Sequence, residues 1–290
     1  MGSLSDLLKA ILLGIVQGLT EFLPISSSVH LIVVPWLFGW EPFGLAFDVA
    51  LHLGTLTAVL IYFYRDLREI ILGTLRGLPD LAHGRFPNDP MGRLGIFIAL
   101  GSIPAAIVGL LANDAIDEYF HQDPVSDTAI AISATVLILM GLLLGAADRY
   151  GKRHMRPDRD IRTIGLGDAL IVGCAQAFAL LPGVSRSGST ITAGLFTGLS
   201  RPVAARFSFL LGVPIVMAAG LVEMIDLARE GIPAGERGVF VAGVLTAAIV
   251  GYIAIAGLMR FLQHRSVDVF VIYRIVLGLS LLSLVAAGFR

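Results

Sequence analysis

GIVQGLTEFLPISSSVH, residues Gly14 to His30, is apolar enough to enter a lipid bilayer and yet is studded with groups that do not belong there. Gln17, Glu21, Ser26, Ser27, Ser28 and His30 interrupt it, and Pro24 falls near its middle. An interior proline removes a helical hydrogen bond and clashes with the preceding turn. Backbone freed in this way survives at membrane depth only inside protein or beside a wet cavity. The stretch therefore reads as a helical hairpin that turns back inside the membrane, with Ser26 to Ser28 as capping candidates for the outgoing helix. A second stretch, QAFALLPGVSRSGSTITAG from Gln176 to Gly194, follows the same plan. There Pro182 and Gly183 stop one helix, and a hydroxyl-rich segment starts the next.

Composition places both stretches in a membrane protein. The 290 residues are 56% hydrophobic and 15% charged, with a mean hydropathy of +0.84. Soluble domains average about 25% charged. A net charge of −1 with no basic face gives no reason to expect a nucleic-acid partner. Cys174 is the sole cysteine, so no intramolecular disulfide forms, and its apolar setting reads as packing. Residues 7–25 lack a basic leader and a small-residue cleavage site, so they are not expected to be a cleaved signal peptide. The 33 glycines mostly mean close helix packing.

Apolar runs of spanning length lie near 46–64, 94–112, 128–147, 203–225, 238–259 and 269–289. Between the halves a colinear likeness emerges. One shift places Leu23-Pro24 on Leu181-Pro182, Ser27 on Ser185 and Leu53-Gly54 on Leu211-Gly212. Ala105 to Gly109 recurs as Ala247 to Gly251, the register changing across the polar loop expected at 65–93. The fold predicted is all-α and polytopic, one integral membrane domain over 1–290. It comprises two repeats, 1–148 and 163–290, each a re-entrant hairpin followed by three transmembrane helices. Three crossings per repeat invert the second relative to the first. The prediction is six full spans and two re-entrant hairpins.

Lysine and arginine orient the chain. Arg65, Arg68, Arg76, Arg85, Arg93 and the cluster Arg149 to Arg162 share one side with Arg201, Arg206, Arg260 and Arg265. The other side has Lys9, Arg229, Arg237 and Arg290 and an acidic loop with Asp114, Asp117, Glu118, Asp123 and Asp127. The positive-inside rule then puts both termini and the first hairpin outside.

Two helices starting near the midplane from opposite sides would aim free N–H groups and dipoles at one point, a natural anion site. Arg186 inside the second hairpin supports that reading, because a mid-bilayer guanidinium costs at least ~2.5 kcal/mol and its fork suits phosphate oxygens. Its competing role is an ion pair with Glu21. Ser185, Ser187 and Thr190 crowd around it, whereas Ser189 and Thr192 are expected to pack. Gln17 and Glu21 share a helix face, and Glu21 suits a general base, a proton relay or a hard-metal ligand. His30, three residues after Ser27, is spaced to reach its hydroxyl as a base. His52 is expected against a backbone carbonyl. Asp48 and Arg206 match in the repeat but fall near opposite faces, and Asp168, Glu223 and Arg274 are expected in structural ion pairs.

On these residues the chain resembles the undecaprenyl-diphosphate phosphatase family of the bacitracin-resistance type. QGLTEFLPISSSVH is similar to its [E/Q]-x-x-x-E element with the following serines and histidine, and LLPGVSRSGSTIT to its P-G-x-S-R-S-x-x-T element. The likeness runs the whole length. It implies a bacterial plasma-membrane hydrolase that removes the terminal phosphate of undecaprenyl diphosphate on the outer side, recycling the lipid carrier for peptidoglycan synthesis. It implies catalytic roles for Glu21, Ser27, His30 and Arg186. Substrate contacts are expected from Gln17, Ser26, Ser28, Gly183, Ser185, Ser187 and Thr190. A divalent cation, magnesium or calcium, is implied, with Glu21 as its protein ligand. Gln17 stands where many members carry glutamate, which disfavours a carboxylate-bridged pair of metals. The residues leave open whether Ser27, His30 or a water attacks. They also leave a rival, a polyprenyl-phosphate flippase or anion transporter using the same site. Membrane lipids surround the spans, and small-residue helix faces permit a homodimer.

Overall fold

Ser3 begins the first helix with a reciprocal cap: its hydroxyl accepts from the Asp6 N–H at 3.1 Å, and its own N–H donates to Asp6 Oδ2 at 3.0 Å. The helix so started, α1 (Leu4–Thr20), runs into a turn at Pro24 and is followed by α2 (Ser27–Phe38), which ends on the left-handed Gly39. This is a computed structural model, and it describes residues 3–41, 43–120, 125–230 and 236–289. The side chains of Asp114, Asp117, Glu223 and Arg229, and the whole of Asp123 and Arg290, lie outside the described set. The remaining helices are α3 (Leu45–Tyr62), α4 (Tyr64–Ala82), α5 (Pro90–Phe120), α6 (Asp127–His154), α7 (Leu166–Ala177), α8 (Arg186–Phe196), α9 (Arg201–Glu230), α10 (Arg237–His264) and α11 (Asp268–Ala286). Among the described residues there is no strand.

Among the described residues five helices, α5, α6, α9, α10 and α11, are long and apolar enough to cross a membrane, and α3 with α4 makes a sixth candidate bent by 79°. Every apolar run read from the sequence is therefore a helix. Outward faces carry exposed Leu110, Leu111, Ile249, Ile253 and Val276, side chains suited to lipid. The segment 65–93 departs from expectation. It is mostly helix rather than loop, because its charges fall on one side of α4 while Ile70, Gly73 and Gly77 pack inward. Gly73 lies so close to Gly92 that a Cβ would stand 2.7 Å from the Gly92 nitrogen. The acidic segment begins on α5, which extends to Phe120.

Both hairpins pack in equivalent ways. α1 lies along α10 and α7 along α5, each contact closed by small residues. A Cβ on Gly14 would meet the Gly243 oxygen at 2.7 Å, and one on Gly173 the Gly101 oxygen at 1.9 Å. In lipid such close backbone approach replaces the hydrophobic drive that assembles soluble helices. α6 and α11 pack together, and α8 inserts between α6, α7 and α9.

The polar ends are tied by arginine–carboxylate pairs. Arg159 holds Asp168, as expected for that aspartate, and Arg201 holds the buried Asp148 through Nη2 at 2.9 Å. Arg206 pairs with Asp66, consistent with its separation from Asp48. Arg274 departs from expectation. Its bonds go to main-chain carbonyls, not to a carboxylate.

Candidate active site

Ser26 and Ser185 have φ of 74° and 69°, and among the described residues they are the only non-glycine positions with positive φ. Each is the residue just before a helix, α2 or α8. Such strain persists only where the surroundings fix it, and it concentrates at functional sites. This equivalence corrects the register read from sequence. Ser26, not Ser27, matches Ser185, because Pro182-Gly183-Val184-Ser185 has one residue more than Pro24-Ile25-Ser26. Ser27 and Arg186 are thereby counterparts, each the first residue of its helix.

Two hydrogen bonds lock the turns against each other. The Gly183 N–H donates to Ser26 Oγ at 3.2 Å, and the Ser187 hydroxyl donates to the Leu23 carbonyl at 3.1 Å. Gly183 has φ of 99°, and a Cβ there would strike the Ser133 carbonyl at 2.4 Å, so only glycine closes this turn. α8 has one first-turn N–H satisfied, Gly188 to Ser185 Oγ at 3.1 Å, whereas the Ser26 side chain caps nothing in α2. Both helices thus bring under-satisfied N–H groups to the place where the turns meet.

Glu21 stands at that place, 7% exposed. Arg186 Nη2 donates to its Oε1 at 2.7 Å, and the Ser27 hydroxyl donates to its Oε2 at 2.7 Å. Gln17 Nε2 also donates to Oε2 at 3.1 Å, and His52 Nε2 lies 3.5 Å from the same oxygen. Arg186 is 16% exposed and reaches Gly212 of α9 with Nη1, where a Cβ would fall 1.5 Å from that nitrogen. A small cavity of about 10 Å³ lies between Glu21, Thr55, Arg186 and Gly212. Serine, carboxylate and guanidinium are thus in hydrogen-bonding contact, with helix N-termini on both sides.

Two expectations fail here. His30 does not address Ser27. Its Nδ1 lies 2.7 Å from the Ser26 carbonyl, and its Nε2 lies 2.6 Å from the Tyr273 hydroxyl. A carbonyl only accepts, so Nδ1 carries a proton, and Nε2 is engaged by the Tyr273 hydroxyl. The backbone carbonyl one turn back captures the imidazole that residue spacing alone would swing toward Ser27. Thr190 does not face the site either. It is fully buried, donates to the Arg186 carbonyl at 2.6 Å and meets Ser208 Oγ at 2.5 Å, anchoring α8 on α9.

The remaining serines bond to one another at the two turns. Ser28 bonds Ser26 Oγ at 3.1 Å, and Ser185 and Ser187 share a contact of 3.2 Å. Ser189 and Thr192 bond back to the carbonyls of Arg186 and Gly188 and act in packing. His52 meets both descriptions: Nδ1 is on the Asp48 carbonyl at 2.8 Å, as expected, while Nε2 turns to Glu21, which was not. Tyr273 and Gly212 carried no sequence signal, since their roles exist only across helices far apart in the chain.

For a divalent cation, no cluster of three or more His, Cys, Asp or Glu exists among the described residues. One observation nevertheless suits a hard ion. Gln17 Oε1 is buried and has no hydrogen-bond partner, while its amide nitrogen is bonded to Glu21. Gln17 Oε1 and the Glu21 carboxylate are the oxygens that would hold such an ion, with phosphate and water completing its shell. The residues fit.

Fold and site together define a polytopic helical membrane protein that opposes two re-entrant helix N-termini around one carboxylate–guanidinium pair. The chain belongs to the bacitracin resistance protein BacA family, whose profile matches residues 10–280. It is 55% identical over 278 residues to an undecaprenyl-diphosphatase of Thermomicrobium roseum, covering 96% of this chain and 98% of that one. An undecaprenyl-diphosphatase of Geobacter sulfurreducens is 49% identical over 278 residues, with 96% and 98% covered. Another, of Pelobacter propionicus, is 45% identical over 283 residues, with 98% of both chains covered.

Proposed function

We propose that the chain is an undecaprenyl-diphosphate phosphatase, releasing inorganic phosphate and returning undecaprenyl phosphate to peptidoglycan synthesis. The observation that carries this is Glu21 held between Ser27 and Arg186, each at 2.7 Å, where two helices begin. Family membership and the relatives' names support the same reading. Bacitracin resistance fits the family to which the chain belongs.

In the reading we favour, the incoming diphosphate takes Arg186 from Glu21 and rests its terminal phosphoryl oxygens on the guanidinium and the first-turn N–H groups of α2 and α8. Glu21 Oε2 then receives the Ser27 proton as Oγ bonds to the terminal phosphorus. The bond to the bridging oxygen breaks, its electron pair leaves with undecaprenyl phosphate, and Glu21 hands the proton to that departing oxygen, which returns Glu21 to the carboxylate. Water, deprotonated by Glu21, hydrolyses the phosphoserine, and Ser27 regains its proton. The hydrogen bond already made by Ser27 supports Glu21 rather than His30 as its base. A magnesium or calcium ion, held by Glu21 and Gln17 Oε1, would supply charge neutralisation at the diphosphate.

In this reading the protein lies in the bacterial plasma membrane with both termini outside and the site open to the outer face. Residues 1–148 and 163–290 act as two halves of opposite topology. The equivalent packing of α1 on α10 and α7 on α5 supports that division. A lipid-phosphate transporter would need the helix N-termini and Arg186 but no serine on a carboxylate. The test is rapid acid quench of purified protein with end-labelled prenyl diphosphate. The expected result is label on wild type and none on Ser27→Ala. Phosphate release without protein-bound label would move the attack to water, and no release at all would leave the transporter.

A further inference from the structure

Arg274, in the apolar middle of α11, is wholly buried. It bonds four main-chain carbonyls drawn from three parts of the fold. Nε donates to Leu137 of α6 at 3.0 Å, and Nη1 to Pro24 of the first turn at 3.1 Å. Nη2 donates to Gly183 and Val184 of the second turn at 2.6 and 3.1 Å. One guanidinium therefore holds both turns. The close approach is built in, since a Cβ on Gly188, in the first turn of α8, would come within 2.7 Å of Nη1. Carbonyls satisfy its hydrogen bonds without cancelling its charge. Pro24 and Val184 lie two and one residues ahead of the strained Ser26 and Ser185, so that charge stands directly behind both helix N-termini. A cation placed there adds to the two dipoles that face the site.

Resting on the phosphatase reading, we propose that Arg274 is a positioning residue for the diphosphate. Its fork sets the gap between the two helix N-termini, and its charge raises the affinity of that gap for phosphate. The two contributions separate by substitution. Arg274→Lys keeps the charge but not the planar fork, and Arg274→Gln keeps neither.

The experiment uses purified full-length protein in detergent. It measures calorimetric binding of a prenyl diphosphate analogue with a methylene bridge, kcat on the natural diphosphate, and thermal melting without ligand. Arg274→Gln is expected to bind the analogue at least ~30-fold more weakly, as for loss of one buried charge partner. Arg274→Lys is expected to bind within about threefold of wild type while kcat falls roughly tenfold or more, because reacting groups tolerate little displacement. A purely scaffolding role would instead lower binding, kcat and melting together in both variants, and that result overturns the proposal. So does folded Arg274→Gln protein that binds within twofold of wild type. If Arg274→Gln does not fold, Arg274→Lys decides alone: retained affinity with reduced kcat supports the proposal, and any other pattern overturns it. Wild-type protein that fails to bind the analogue would fail the phosphatase reading itself, and this inference with it.

Discussion

Ser27 and Arg186 occupy the same position, the first residue of α2 and of α8, and they bond opposite oxygens of one carboxylate. The two hairpins have diverged at this point into complementary parts. One supplies a hydroxyl and the other a guanidinium; in the proposed reading the first loses its proton to Glu21 and the second passes from Glu21 to the substrate. The predictions that follow test each contact around that carboxylate.

Arg186→Lys is expected to fail as a replacement. Lysine reaches with a point charge where the site uses a planar fork, so kcat/KM should fall by at least ~100-fold, comparable with loss of a transition-state donor. Phosphate release from prenyl diphosphate measures it, and activity within tenfold of wild type would refute the assigned role.

Gly212→Ala tests how Arg186 is seated. The added Cβ would fall 1.5 Å from Nη1, so the guanidinium has to leave its bed on α9. The expected outcome is a loss of roughly tenfold or more in kcat from misplacement, with the protein still folded. Steady-state kinetics beside a melting curve separates the two effects.

Gly173→Ala bears on the scaffold rather than the chemistry. Its Cβ would meet the Gly101 oxygen at 1.9 Å, forcing α7 from α5 at a cost of about 1–3 kcal/mol by overpacking. Gly167 of the same helix faces open space, and Gly167→Ala should leave the melting temperature essentially unchanged. Equal melting of the two variants would contradict the close contact.

Gln17→Ala removes the unpartnered buried oxygen beside Glu21. If that oxygen holds the cation, the magnesium concentration giving half-maximal activity should rise roughly tenfold, with kcat recovered at saturation, as for loss of one ligand. Chelated protein titrated with magnesium gives the curve. An unchanged midpoint would free Gln17 from that role.

Much of this was legible because prolines and charges in hydrocarbon are too costly to be incidental. Pro24, Pro182, Glu21 and Arg186 mark both turns in the sequence, whereas the Glu21–Arg186 ion pair stands there only as the competing role of the arginine. What stayed hidden depended on geometry across the fold. Arg186 meets Glu21 across the whole first half of the chain, but its bed on Gly212 is a matter of one missing Cβ. His30 turns from Ser27 because the Ser26 carbonyl one turn back takes its Nδ1, as the Asp48 carbonyl takes that of His52, a local contact that linear spacing does not reveal. Alternation of charge and apolar residues concealed α4, whose polar face resembles a loop when read linearly.

The cavity of about 10 Å³ beside Glu21 and Arg186 has room for about one water. There is no space there for a phosphate while the Glu21 carboxylate sits on the guanidinium, as a phosphate oxygen would. Any anion must evict that resident. A free phosphate ion arrives rarely and brings nothing else to hold it, whereas a lipid-linked diphosphate is confined to the bilayer by its tail and presents its headgroup at high local concentration. In the proposed reading Glu21 is then a gatekeeper as well as a base: it would let the protein ignore the phosphate dissolved around it and yield to the phosphate tethered beside it.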